Sequence, residues 1–242
     1  MNQTFRFSTL LLLYIALLSA FPKSVNGQEL NKEGNDILVL SNLIYRSDDR
    51  LLNGKYYVPK HFFAEGHPYF ISNDWINGTL FIKGIKYEEV PLKYNIEDDH
   101  VIIKAVYENR ISKDILMHNT FVDSIYLYHH IIHNTANQYP DNNIGFAELI
   151  YKGKNWAYLK HYIEFKDELS ERLKYGKYLP AKKYLYLYDG STFTLIQKKK
   201  SLFVYFPGQE KAIKQYLRKN DILFRKASAE QLMNLIQFCE QL

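Results

Sequence analysis

Residues 184–188 read Tyr-Leu-Tyr-Leu-Tyr, an alternation of period two that a strand satisfies and a helix cannot. It places three tyrosines on one face and two leucines on the other. Asp189-Gly190 follows as a turn pair and Ser191–Ile196 runs back, so residues 184–196 are expected to form a β-hairpin. The same grammar recurs upstream. Thr79–Lys83, Ile85–Val90, Leu92–Ile96 and Val101–Tyr107 are short β-branched and aromatic runs in a stretch punctuated by Asn53-Gly54, Asn77-Gly78, Lys83-Gly84 and Asp98-Asp99, the spacing of an antiparallel meander. Pro91 cannot donate a ladder hydrogen bond and marks a corner or an edge. In the alternation Ile85, Tyr87 and Glu89 face one way and Lys86, Glu88 and Val90 the other. Phe121–Ile132, Gly145–Tyr151 and Trp156–Phe165 read as further strands, while Lys166–Lys177 reads as a helical turn or a loop.

The period changes after Ile196. Ala212, Ile213, Tyr216 and Leu217 fall at helical spacing within 209–219, and Leu232, Leu235, Ile236 and Cys239 form a stripe at i, i+3, i+4 and i+7. Ser228 and Gln231 have the spacing of a capping box. Helices this short are marginal alone and need a sheet to cover. The expected fold class is therefore α+β, an antiparallel sheet curled or barrel-like in form and closed by C-terminal helices.

The N-terminus carries a different signal. Arg6 precedes a run from Leu10 to Phe21 that is apolar except for Ser19, and Val25-Asn26-Gly27 puts small residues before Gln28. Positive, apolar, then small is the order of a secretory signal peptide, and the run is short of the ~20 residues that span a bilayer. The expected organisation is a signal peptide over 1–27, a flexible segment over 28–36, a β-rich body over 37–196 and a basic helical segment over 197–242 packed on the sheet. The product would be exported: periplasmic, at the cell surface or secreted, with no transmembrane segment after cleavage. A single cysteine among 242 residues excludes a disulfide framework and a cysteine-rich zinc module.

The meander Gly78–Tyr107, the hairpin Lys183–Ile196 with Lys198-Lys199-Lys200-Ser201-Leu202, and the segment from Ile213-Lys214-Gln215-Tyr216 through Phe224-Arg225-Lys226 to the end resemble a group of uncharacterised exported proteins of Bacteroidetes-type bacteria. The resemblance implies secretion and a strand-rich body with a helical end. It brings no activity, cofactor or functional residue with it.

Candidate chemistry is sparse. His129-His130-x-x-His133 is the one histidine cluster in the sequence. On a helix His129 and His133 would share a face one turn apart; on a strand they stand about 13 Å apart at ~3.3 Å per residue, too far for one ion. The apolar flanks favour the strand, so no metal is expected. His67 and Asp74 could act as an acid–base pair, though a loop histidine held by turn geometry is the commoner arrangement. Glu88-Glu89 point to opposite faces of a strand and cannot flank one bond, and Asp48-Asp49 and Asp98-Asp99 read as turns. Cys239 lies in the apolar stripe, where a thiol stays protonated. No nucleophile-elbow, Walker or dinucleotide motif is present, and no cofactor is expected.

Charge offers the better lead. Without residues 1–27 the chain has 29 Lys+Arg and 26 Asp+Glu, too even to predict nucleic-acid binding. Residues 182–226, however, hold eleven Lys/Arg against three acids. Lys198, Lys199, Lys200, Lys211, Lys214 and Arg218 are the candidate binding residues for an anionic partner, either an envelope component such as a phosphorylated or acidic lipid or an acidic protein, if they converge on one surface. The opposing expectation is a solvated face of dispersed lysines. Tyr184, Tyr186 and Tyr188 would make a platform for sugar rings if exposed and core if buried, the latter being commoner. The function expected is a non-catalytic binding or scaffolding protein. The alternative is a hydrolase of unfamiliar type using histidine and carboxylate at the tips of the meander.

Overall fold

The computed structural model describes residues 54–106, 111–167 and 175–242. The signal-peptide and flexible-segment expectations, Asp48-Asp49 and Asn53 lie outside them. Eleven strands form one antiparallel sheet. Four strands run outward: β2 (Ile76–Ile82), β3 (Ile85–Asn95), β4 (His100–Val106) and β5 (Ser112–Met117), with β1 (Gly54–Tyr56) pairing on β5 at the edge. The chain then returns to the inner side of β2 and continues through β6 (Val122–Leu127), β7 (His130–Asn134), β8 (Phe146–Lys152) and β9 (Trp156–Tyr162). A separate pair, β10 (Phe165–Lys166) with β11 (Lys177–Tyr178), precedes β12 (Lys182–Tyr188) and β13 (Phe193–Ile196), which close the order. The sheet is open, with β1 and β13 at its edges, and barrel closure, one form anticipated from the sequence, does not occur.

Among the described residues four α-helices accompany it: α1 (Thr135–Gln138), α2 (Lys199–Tyr205), α3 (Glu210–Lys219) and α4 (Ala229–Glu240). The capping box forms as the spacing predicts: Ser228 accepts from the Gln231 N–H while the Gln231 side chain accepts from the Ser228 N–H. Leu232, Leu235, Ile236 and Cys239 of α4 are buried with Ile213 and Leu217 of α3 and Leu202 of α2 against Leu159, Leu185, Leu187 and Ile196. Fully burying such side chains stabilises by about 1.5–3 kcal/mol each, which is what these short helices need to persist. A second core lies under β2–β8, built on Leu80, Leu92, Ile103, Ile125, Ile132 and Phe146.

Several boundaries differ from the sequence reading for identifiable reasons. Residues 121–132 are two strands, not one: the chain reverses at Tyr128-His129, with Tyr128 at φ 54°, a left-handed residue that no glycine or asparagine announces. Asn77-Gly78 lies inside β2, where the glycine serves close approach: a Cβ there would sit 2.5 Å from the Tyr126 carbonyl oxygen. Val90 joins the buried face with Leu92 and Tyr94, because the ladder shifts register between Gly78 and Leu80 and Glu89 takes φ 54°. Pro91 does mark an edge. β4 pairs only with Leu92–Asn95, so Pro91 has β2 on one side and no β4 partner on the other. Lys166 and Lys177 are strand residues, residues 168–174 of the segment between them lie outside the described residues, and α2 adds a helix to the two expected.

Candidate functional site

Directly opposed residues of antiparallel strands share a face. Following the register across seven strands gives one transverse row: Leu80, Ile125, Ile132, Glu148, Leu159, Leu185 and Ile196. Every member is buried, and one is a carboxylate, Glu148 at 5 % exposure. Ile132 and Leu159, its two neighbours in the row, belong to different cores, so Glu148 stands at the seam where the two meet.

A buried carboxylate is tolerated where hydrogen bonds replace its water. Two residues before Ile132, His130 approaches the Glu148 Oε1 through Nδ1 at 2.5 Å; two residues after Leu159, His161 approaches Oε2 through Nε2 at 2.7 Å. Burial alone would raise the Glu148 pKa, but the hydrogen bonds from His161 and His130 outweigh it and hold the carboxyl below its ordinary value. The Phe70 ring packs on both imidazoles, 4.6 Å from His161 and 5.1 Å from His130. Phe70 reaches them through a three-residue turn in which the Ser72 N–H donates to the Phe70 carbonyl at 2.9 Å and Ile71 takes φ 69°. A β-branched residue there costs about 1–3 kcal/mol, and the strain persists because neighbouring contacts fix Phe70.

His161 also lines a groove of about 890 Å³ between the start of β12, the end of β13 and the segment 224–226. Lys182, Lys183, Lys198, Arg225 and Lys226 line it too, over Leu185, Ile196, Phe224 and Leu232, with no carboxylate among its lining residues. Lys182 is already neutralised by Glu164 at 2.9 Å. Lys183, directly opposite His161 in the ladder, is half-buried; desolvation lowers its pKa and Glu148 draws it partly back. Among the described residues no carboxylate pairs with Lys183 at ion-pair distance.

Of the six basic residues singled out from the sequence, the structure brings only Lys198 to this groove. Lys199 and Lys200 begin α2, and Lys211, Lys214 and Arg218 lie on the exposed side of α3, where Lys214 pairs with Glu210 and reaches over the Phe203 ring. Helical spacing spreads these side chains away from the groove, whereas the hairpin β12–β13 and the turn 224–226 bring the other cations together. Among the histidines, His129 occupies the turn, His130 bonds Glu148, and His133 faces the opposite side of β7, near the Tyr158 hydroxyl at 3.5 Å. His67 accepts the Tyr69 N–H and Asp74 bonds Ser72, so each closes its own loop. Sequence reasoning missed Glu148 and His161. The usable signal was an acid at an inward position of the run Phe146-Ala147-Glu148-Leu149-Ile150.

Comparison of the chain with protein-family models, with curated proteins and with solved structures finds no match. Among the described residues no helix is long and apolar enough to cross a membrane, and no three His, Cys, Asp or Glu side chains are grouped as a metal site requires.

Proposed function

We propose that this chain is an exported binding protein that holds the anionic group of a partner in the groove beside β12. The observation that carries the reading is Lys183, a half-buried cation with no paired carboxylate among the described residues, set in a cleft whose other charged linings are all basic. A desolvated lysine gains most from an incoming phosphate or carboxylate, because the ligand restores the charge partner that burial removed. Lys198, Arg225 and Lys226 stand at the same groove to share the charge, and Leu185, Phe224 and Leu232 give an apolar wall for an adjoining hydrocarbon. The order Arg6, Leu10–Phe21, Val25-Asn26-Gly27 supports export, as does the resemblance to exported Bacteroidetes-type proteins, and the partner is then a component of the cell envelope.

A second reading is favoured by one specific observation. Glu148 orients His161, whose ring borders the groove, and an imidazole so held is suited to take a proton in a hydrolytic reaction. The two readings separate experimentally. Titrating the chain with dihexanoyl phosphatidic acid and with its phosphatidylcholine counterpart should show binding of the first alone, weakening as salt rises. Equal binding of both, or of neither, would overturn the binding proposal. Release of inorganic phosphate from the bound ligand, lost on His161→Gln, would establish the second.

A further inference from the structure

On the face of β12 that points away from the helices, the alternation delivers Tyr186 and Tyr188 half-exposed. Tyr188 stands opposite Phe193 in the β12–β13 ladder, with ring centroids 4.6 Å apart, and Tyr139 adds a third ring 4.4 Å from Tyr188. Together with the loop 138–144 these rings line a pocket of about 560 Å³, within the ordinary size of a small-molecule site.

The loop is held in place before any ligand arrives. Asn142 accepts the Ile144 N–H at 3.0 Å and donates to the Thr135 carbonyl at 3.0 Å, while fully buried Thr135 donates through its hydroxyl to Gly145 at 2.7 Å. Its neighbours are different. Gln138, Asp141 and Asn143 line the same pocket, are exposed, and make no side-chain hydrogen bond to any described residue. Toward the described residues their donors and acceptors are unspent.

The lining chemistry selects among ligands. No Lys, Arg or His lines this pocket, so an anion finds no counter-charge there. A purely apolar ligand would leave the two amides and the carboxylate unused. A neutral sugar uses both sets: its C–H faces lie against tyrosine and phenylalanine rings, and its hydroxyls pair with Gln138, Asp141 and Asn143. We infer that the pocket formed by Tyr139, Tyr186, Tyr188 and Phe193 with the loop 138–144 binds a neutral saccharide of about two rings. The inference is independent of the groove beyond β12, since leucines 185 and 187 face the helices and tyrosines 186 and 188 face the pocket.

The test uses the full chain and a panel of maltose, cellobiose and diacetylchitobiose, with digalacturonate as the charged control. Binding is followed by calorimetry and by the fluorescence of Trp156, which pairs with Tyr188 across the β9–β12 ladder. At least one neutral disaccharide should bind with a dissociation constant of roughly a millimolar or tighter. Asp141→Ala and Asn143→Ala break no internal bond, so they should leave the fold intact and weaken binding about tenfold each, some 1.4 kcal/mol. Tyr186→Ala should abolish binding, with Tyr186→Phe keeping most of it, and Lys183→Gln should change nothing. The inference falls if no neutral disaccharide binds, if binding is untouched by the Asp141 and Asn143 variants, or if digalacturonate binds best.

Discussion

Glu148 presents one carboxylate oxygen 2.7 Å from the Nε2 of His161, and that bond ties the seam between two hydrophobic cores to the wall of a basic groove. Removing the carboxylate takes from both imidazoles the partner they share. Glu148→Ala is therefore expected to destabilise the protein by about 3 kcal/mol or more, since a hydrogen bond to a charged group contributes about 1.5–3 kcal/mol and two are lost. Glu148→Gln keeps the shape and can donate to one ring while accepting from the other, so its cost should stay near 1–3 kcal/mol. Urea denaturation at neutral pH distinguishes the two; equal and small effects would show that the array contributes little to folding.

The same array sets an acid dependence. The folded-state pKa of Glu148 lies below its ordinary value, so the stability it contributes is fully present above the unfolded value of about 4.3 and fades as pH falls through the folded value. The difference in stability between the native chain and Glu148→Gln should therefore be smaller at pH 3 than at pH 5. Denaturation curves at pH 7, 5 and 3 measure it. A difference that grows toward pH 3 would contradict the assigned direction.

Lys183 should behave unlike the lysines of α3. Replacing it with Gln removes a cation whose burial is unfavourable, so stability should change by no more than about 0.5 kcal/mol while affinity for dihexanoyl phosphatidic acid drops about tenfold or more. Lys211→Gln and Arg218→Gln, at exposed positions of α3, should leave that affinity unchanged. Comparable losses in all three would mean that diffuse charge, rather than the groove, holds the ligand.

What the sequence made legible follows from which interactions are local. The Tyr184–Tyr188 alternation, the Lys83-Gly84 turn and the Ser228–Gln231 cap each depend on residues within a few positions, and each forms. The Asp189-Gly190 turn also forms, but as a four-residue loop in which Asp189 accepts the N–H groups of Ser191 and Thr192, which push its carboxyl down to about 2. The His–Glu–His array depends on the register of β7, β8 and β9, and the groove on β12 meeting both β9 and the segment 224–226, so neither is set by residues a few positions apart. Charge counting singled out residues 182–226, but of the six residues it named only Lys198 lines the groove, because a count cannot see which side each element turns to the cleft. Tyr128 hid a reversal by taking a left-handed conformation that its type rarely adopts.

Glu240 helps to fasten the helical layer to the sheet. Glu240 closes α4, where the helix dipole disfavours a negative charge by about 0.3–1 kcal/mol. Its carboxylate nevertheless accepts four hydrogen bonds from the β8–β9 hairpin: the Tyr151 hydroxyl at 2.9 Å, the Lys154 N–H at 3.1 Å, the Asn155 N–H at 2.6 Å and the Asn155 amide at 2.9 Å. Asn155 in turn accepts from the Tyr205 hydroxyl of α2 at 2.7 Å, so one acid joins two helices to a hairpin. Burial works to raise the Glu240 pKa, and the bonds from Asn155, Tyr151 and Lys154 more than offset it. Bonds to a charged group contribute about 1.5–3 kcal/mol each in isolation but share one carboxylate, so Glu240→Ala should cost about 2–4 kcal/mol and Glu240→Gln about half that. Neighbouring Cys239 reports the loosening directly. Its thiol is 1 % exposed and pushed up to about 12 by burial, so it should resist a disulfide reagent in the native chain and react measurably faster in Glu240→Ala, well below the denaturant concentration that unfolds the sheet. Unchanged reactivity in that variant would show that the apolar stripe of α4 alone holds the helix down.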